Sequence, residues 1–207
     1  MLAAMRRKKV YEEIRERKSA SVSLLAEQFS VTEETIRRDI KALEAEGMVV
    51  RTYGGAFIQD GVENLVDANI RSGAYVENKK IIAERSRRFV EDGDTIFLDN
   101  STTAYHLANE IKDMDLTVLT NNLPIVNLLS HSDSIRLVVM GGIYSSTENA
   151  FYGDMTIREL GNYFVDSSFL SCRSISLENG ITDSVEKWTR LRQEVIKRSN
   201  RSYIIAD

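Results

Sequence analysis

The 207-residue sequence holds one cysteine, one proline, one tryptophan and two histidines. A lone Cys172 excludes an internal disulfide and suits a reducing cytoplasm. Together with His106 and His131 it makes no metal-ligand spacing, so no metal or other cofactor is expected. No apolar run approaches the ~20 residues of a membrane span, and the N-terminus lacks the long apolar core of a signal peptide, so the expectation is a cytoplasmic protein with no membrane partner. Excess positive charge is also missing: the formal net charge is -4. Its distribution is more informative, because residues 1–60 carry eleven Lys/Arg against ten Asp/Glu, leaving sixteen against twenty-one for the rest. Only the first part suits a polyanion, and its cations have to be sorted by helix face. The length allows one small domain and one of ordinary size.

What is present is most informative between Val22 and Leu43. Val22, Leu25, Ala26 and Phe29 recur at helical spacing after Ser21, a natural N-cap. Ile36, Ile40 and Leu43 repeat the pattern after Thr32, again an N-cap. The join at Ser30 and Val31 admits only a tight corner, so the spacing predicts a helix-turn-helix. At about 100° per residue, Glu34, Arg37, Arg38 and Lys41 fall on the face opposite Ile36. Arginine forks suit guanine edges or phosphates, and the hydroxyls of Ser21, Thr32 and Thr35 near helix starts suit backbone phosphates. A solvated basic face looks the same in isolation. The next segment distinguishes them: Gly47 ends the helix, Met48 to Thr52 alternates as a strand, Gly54 and Gly55 turn, and Ala56 to Ile58 returns. A helix-turn-helix followed by a hairpin is a winged helix, in which Arg51 and Tyr53 would reach the DNA backbone. Met1 to Arg17 reads as a first helix with Leu2, Met5, Val10 and Ile14 inward and Arg6 to Lys9 mostly outward, Arg6 having Asp39 as an alternative partner.

The runs L-A-E-Q-F-S-V, T-I-R-R-D-I (Thr35 to Ile40) and E-G-M-V-V-R-T-Y-G-G-A resemble the DeoR family of bacterial repressors. The resemblance implies a transcription regulator that binds double-stranded operator DNA and senses a phosphorylated sugar.

After residue 58 the pattern breaks at Gly61, Asn64, Asp67, Asn69, Gly73 and Asn78, which places an inter-domain linker over residues 59–77 between a winged-helix domain (1–58) and a second domain (78–207). The second domain alternates short apolar strands with helices, one opened by Pro124, and so predicts a mostly parallel α/β sheet. In such sheets ligands bind beyond the carboxyl ends of strands. Those ends carry Asp99, Ser101, Thr102 and Thr103, then Asn121 and Asn122, then Gly141 and Gly142, where backbone can approach a ligand closely. Singly, each is ordinary turn and cap chemistry. Together they suit a phosphorylated, hydroxyl-rich molecule.

The runs K-K-I-I-A, D-G-D-T-I-F-L-D-N-S-T-T, L-T-N-N-L-P and V-V-M-G-G are similar to the DeoR sensor domain, a fold resembling ribose-5-phosphate isomerase. That similarity assigns the same strand-end residues to the effector, with Lys79 nearby. Departures follow residue 165: Ser171-Cys172-Arg173-Ser174 replaces a glycine-containing stretch, Arg190 stands where lysine is usual, and Ser101 where glycine is common. Arg173 reads equally as an anion contact or a surface charge. Family members continue past Asp207, so the resemblance implies that part of the pocket lies outside this sequence. The alternative is a sugar-phosphate isomerase-like enzyme with an appended DNA-binding domain. Its base and cation would come from Asp99, Lys79, Glu178 or Glu186, but no pair has a diagnostic spacing and no catalytic residue is assigned. Trp188 reads as helix packing. Half-site symmetry further implies a homo-oligomer, a dimer or tetramer.

Overall fold

The computed structural model describes residues 2–52, 54–58, 68–183 and 185–206. The chain separates into two compact units, Met1–Ala74 and Tyr75–Asp207.

In the first unit α1 (Ala3–Arg17), α2 (Val22–Phe29) and α3 (Glu33–Ala45) enclose a core in which Val10, Ile14, Leu25, Ile36 and Ala56 are fully buried. Each large aliphatic side chain removed from water there contributes about 1.5–3 kcal/mol. Both expected caps form: the Ser21 hydroxyl accepts from the Leu24 N–H at 3.2 Å, and the Thr32 hydroxyl from the Thr35 N–H at 3.3 Å. The corner between α2 and α3 turns through Ser30 at φ 51°, whose N–H closes back on α2. The wing is three-stranded, not a simple hairpin. β1 (Ser19–Ser21), β2 (Val50–Arg51) and β3 (Gly55–Phe57) form an antiparallel sheet with β3 central. Gly55 sits where a Cβ would lie 2.2 Å from the Ala20 carbonyl oxygen, so this crossing requires glycine.

Leu2 and Met5, expected inward, are 77% and 56% exposed. One turn before the buried Val10 the core-facing position belongs to Arg6, whose guanidinium pairs with the buried Asp39 at 2.6 Å. That hydrogen bond raises the Arg6 pKa above its ordinary value. Of the segment expected as linker, residues 59–67 lie outside the described residues, while α4 (Ala68–Ser72) buries Ala68 and Ile70 against β1 and β3 of the first unit.

The second unit is built on a five-stranded, wholly parallel sheet of β4 (Thr95–Leu98), β5 (Leu116–Thr120), β6 (Ile135–Val139), β9 (Val165–Leu170) and β12 (Ser199–Ile204), in the order β12-β9-β4-β5-β6. Strand residues alternate between two cores. Ile96, Leu98 and Val118 pack with α5 (Val76–Arg87), α6 (Thr102–Ile111) and α7 (Leu123–Leu129). Phe97 and Leu119 pack on the other face with α8 (Asp154–Leu160) and α9 (Glu186–Lys197). Two hairpins, β7 (Ile143–Ser145) with β8 (Ala150–Tyr152) and β10 (Ser174–Ser176) with β11 (Gly180–Thr182), rise beyond the carboxyl ends of β6 and β9. From β4 the chain proceeds through β5 to β6 in one direction, while β9 and β12 occupy the other side. The reversal falls between β4 and β9, the position at which the topology of a parallel α/β sheet puts its ligand crevice.

Candidate functional site

On the first unit, α3 presents Glu34, Arg38 and Lys41 as an exposed ridge, with Arg37 beside it. Each arginine here is held by a carboxylate of the same unit: Arg37 by Glu33 at 2.8 Å, Arg38 by Glu34 at 3.2 Å, and Arg51 of the wing by Glu44 at 2.8 Å. All three pairs are largely exposed, so they contribute little to folding, of order 0.3–0.5 kcal/mol for the one-turn pairs. Ser21, Thr32 and Thr35 stand at the starts of α2 and α3, their hydroxyls engaged in capping or with one another. Tyr53 lies outside the described residues.

In the second unit the crevice between β4 and β9 is floored by Asp99, which is only 2% exposed. One of its oxygens accepts from the Ser101 N–H at 2.9 Å, and the other from the Ser171 N–H at 2.8 Å, which ties the two strand ends together. The second oxygen also accepts from Arg192 Nε at 3.1 Å. Arg192 reaches in from α9 and bonds Asp183 with Nη1 and the Asn100 side-chain oxygen with Nη2, the latter at 3.3 Å. Asn100 in turn donates to Glu148 at 3.4 Å. Burial pushes the Cys172 thiol upward in pKa, partly offset by the Arg192 charge, so this residue is a neutral thiol at the crevice edge.

The remaining expected residues divide by role. Ser101 caps α6 through the Ala104 N–H at 3.0 Å, with Thr102 half-buried and Thr103 buried in the same first turn. Asn121 and Asn122 are sealed beneath β8: Asn121 donates to the Phe151 carbonyl at 2.8 Å, and Asn122 caps α7 through the Ile125 N–H at 3.3 Å. One atom is left over, since the Asn121 Oδ1 is buried with no hydrogen-bond partner among the described residues. Gly142, at φ 144°, has no room for a Cβ, which would lie 2.4 Å from Thr156 Oγ1 and 2.6 Å from the Tyr152 carbonyl oxygen. Its smallness seats the β8–α8 corner, whereas the neighbouring Gly141 leaves open space. Lys79 is buried in α5, which packs on α6. Burial first, and then the charges of Lys79 and Lys80, hold the His106 imidazole below its ordinary range. Arg173 is half-buried at the base of the β10–β11 hairpin, its N–H donating to the Thr182 carbonyl at 3.2 Å.

Arg190 does not join this group. It lies exposed on α9, with its guanidinium 3.8 Å from Asp154. The buried stripe of α9 is Trp188, Leu191 and Val195. At 100° per residue Arg190 points about 200° from Trp188 while Arg192 lies about 40° from it, so the helix delivers the second arginine to the crevice. Arg192 and Asp183 were missed from the sequence, and Asn100, though it stands in the strand-end run after β4, was not assigned to the site. The α9 periodicity carried the signal for Arg192, whereas Asp183 had no local signal. Trp188 packs as expected, buried and edge-on to Tyr152.

Comparison with known proteins agrees with this two-unit organisation. Residues 6–61 match the DeoR-like helix-turn-helix domain, and residues 74–207 match the DeoR C terminal sensor domain. An HTH-type transcriptional regulator of Bacillus subtilis is 39% identical over all of this chain and 80% of its own length. The L-fucose operon activator of Haemophilus influenzae is 30% identical over 91% of this chain and 76% of its own. The lactose phosphotransferase system repressor of Staphylococcus epidermidis is 29% identical over 94% and 78%. Among solved structures, ribose 5 phosphate isomerase A of Neisseria gonorrhoeae overlaps 63% of this chain and 51% of its own at 14% identity, with a TM-score of 0.46. With the two domain families matched in order along the chain, the protein belongs to the DeoR family of transcriptional regulators.

Proposed function

We propose that the protein is a sequence-specific repressor of a carbohydrate-use operon, that α3 and the wing bind double-stranded operator DNA, and that a phosphorylated sugar at the crevice relieves repression. The observation that carries the first part is the exposed Glu34, Arg38 and Lys41 ridge on a helix held at a capped corner: long, outward guanidinium and ammonium groups on a convex helix suit a major groove. The second part is supported by the polar strand ends at the sheet's switch point, where Asn100, Asp183 and Arg192 gather around the buried Asp99, and by a helix start at Ser101 to Thr103 for an anion. Two of the relatives above are named for a sugar, L-fucose and lactose, which favours a sugar-derived ligand here.

The effector acts by its difference in affinity between the DNA-competent and released states, a coupling shared equally by both ligands. Symmetric half-sites call for a dimer or tetramer, which sizing with and without DNA would establish. An isomerase would need Asp99 free to take a proton, yet each of its oxygens already accepts a hydrogen bond.

Selecting duplexes from a randomised pool tests DNA recognition, with Arg38→Ala as the control. Losing one bidentate base contact costs about 1–3 kcal/mol, roughly 5- to 150-fold in affinity for the enriched sequence. An unchanged footprint removes α3 as the recognition helix. A thermal-shift screen of sugar phosphates tests the crevice, because a ligand at about 100 times its Kd adds about 2.7 kcal/mol of stability. A Thr102→Val, Thr103→Val double variant should bind DNA yet respond weakly to the hit. A normal response places the ligand elsewhere, and turnover of the hit would favour an enzyme.

A further inference from the structure

We propose that Glu34 is a specificity-determining residue, which reads a cytosine next to the base read by Arg38 and shields Arg38 from indiscriminate phosphate contact until that step is met. This rests on the reading of α3 as the recognition helix. At helical spacing Glu34, Arg38 and Lys41 form one ridge, the part of α3 farthest from Ile36. The carboxylate at its head is 63% exposed and bonds the Arg38 guanidinium, 78% exposed, at 3.2 Å. Arg37 is paired in the same way with Glu33, one turn back on α3, and Arg51 of the wing pairs with Glu44. Each of these three arginines therefore approaches DNA beside a carboxylate, in an exposed pair.

Phosphate oxygens can displace Glu34 from Arg38 only by bringing two anions close together, so a sequence-blind encounter gains little. A base step with a guanine edge beside a cytosine amino group satisfies both side chains at once, Arg38 donating to guanine O6 and N7 and Glu34 accepting from cytosine N4. The pair then carries discrimination that two lone cations would lack. Lys41, one turn further on, adds an exposed charge to the ridge.

The experiment compares the full-length protein with Glu34→Gln in selection from the randomised duplex pool, followed by salt titrations on the enriched duplex and on a scrambled one. Glu34→Gln should bind the scrambled duplex several-fold tighter, steepen the dependence of log K on log salt by about one unit, and replace cytosine by adenine at one enriched position, because glutamine pairs with adenine. A purely structural role for an acidic first turn predicts equal weakening on both duplexes with the motif unchanged, and that result overturns the proposal. So does a variant that reproduces the wild-type motif and salt slope. If the wild-type protein enriches no motif, the recognition-helix reading fails and this inference fails with it.

Discussion

Asp99 offers the most demanding test of the crevice geometry. Its carboxylate is buried, it accepts the Ser101 and Ser171 amides that join β4 to β9, and it faces an Arg192 side chain 17% exposed. In Asp99→Asn the amide nitrogen must face a donor, and the guanidinium loses one of its two carboxylates. A hydrogen bond to a charged group contributes about 1.5–3 kcal/mol, and breaking one side of a buried pair costs about 3–5 kcal/mol. Asp183 still holds the arginine, so the lower part of the range applies, about 3 kcal/mol. Arg192→Gln should cost less, about 1–2 kcal/mol, since Asp99 keeps two backbone donors. Trp188 is the sole tryptophan and is buried in this unit, so its fluorescence in a urea titration reports the unit directly. In heat, about 3 kcal/mol in a unit of this size lowers its Tm by roughly 9–15 °C. The double variant should lose less than the sum of the singles by about 1–2 kcal/mol. A shift for Asp99→Asn below about 2 °C, or Arg192→Gln proving the costlier change, would refute this account of the crevice.

Two further outcomes follow from local geometry. Gly55→Ala drives a methyl into the Ala20 carbonyl and should cost about 1–3 kcal/mol, loosening β1 from β3; far-UV circular dichroism should show the first unit melting earlier while Trp188 fluorescence does not move, and an unaltered first transition would contradict the close approach. His106 has a folded-state pKa below its unfolded value, so the folded state binds fewer protons over that window and stability rises with pH through it. As pH falls below about 6.5 the wild-type urea midpoint should drop more than that of His106→Gln, and parallel curves would show that burial and the charges of Lys79 and Lys80 do not lower this imidazole.

How much of this was legible beforehand follows the range of the interactions. The α2–α3 corner, both caps, the buried stripe and the outward Arg38 depend on neighbours within a turn or two, and sequence periodicity carries them. The Arg6–Asp39 pair was legible as one of two options, because the wheel places Asp39 at the edge of the α3 stripe. Strands β1, β7, β8, β10 and β11 were not read. Each is three residues long, too short to develop a two-residue alternation, and several are exposed, so pairing alone defines them, β1 through the distant β3 and the other four within their own hairpins. The two asparagines and Gly142 were read as rim chemistry for a ligand, yet Asn121 holds β8, Asn122 caps α7 and Gly142 seats the β8–α8 corner, roles the strand-end argument did not anticipate.

The amino-acid order alone determined the two-part organisation, the winged helix and the parallel sheet with polar strand ends, since helix and strand periods, caps and turn residues act locally. Only the tertiary structure decided what the inward-facing arginine of α9 meets. Arg192 lies 93 residues from Asp99, and their meeting depends on β4 pairing with β9 in one sheet and on α9 packing against its face. A side chain's local pattern states which way it points, while its partner is set by packing over the whole unit.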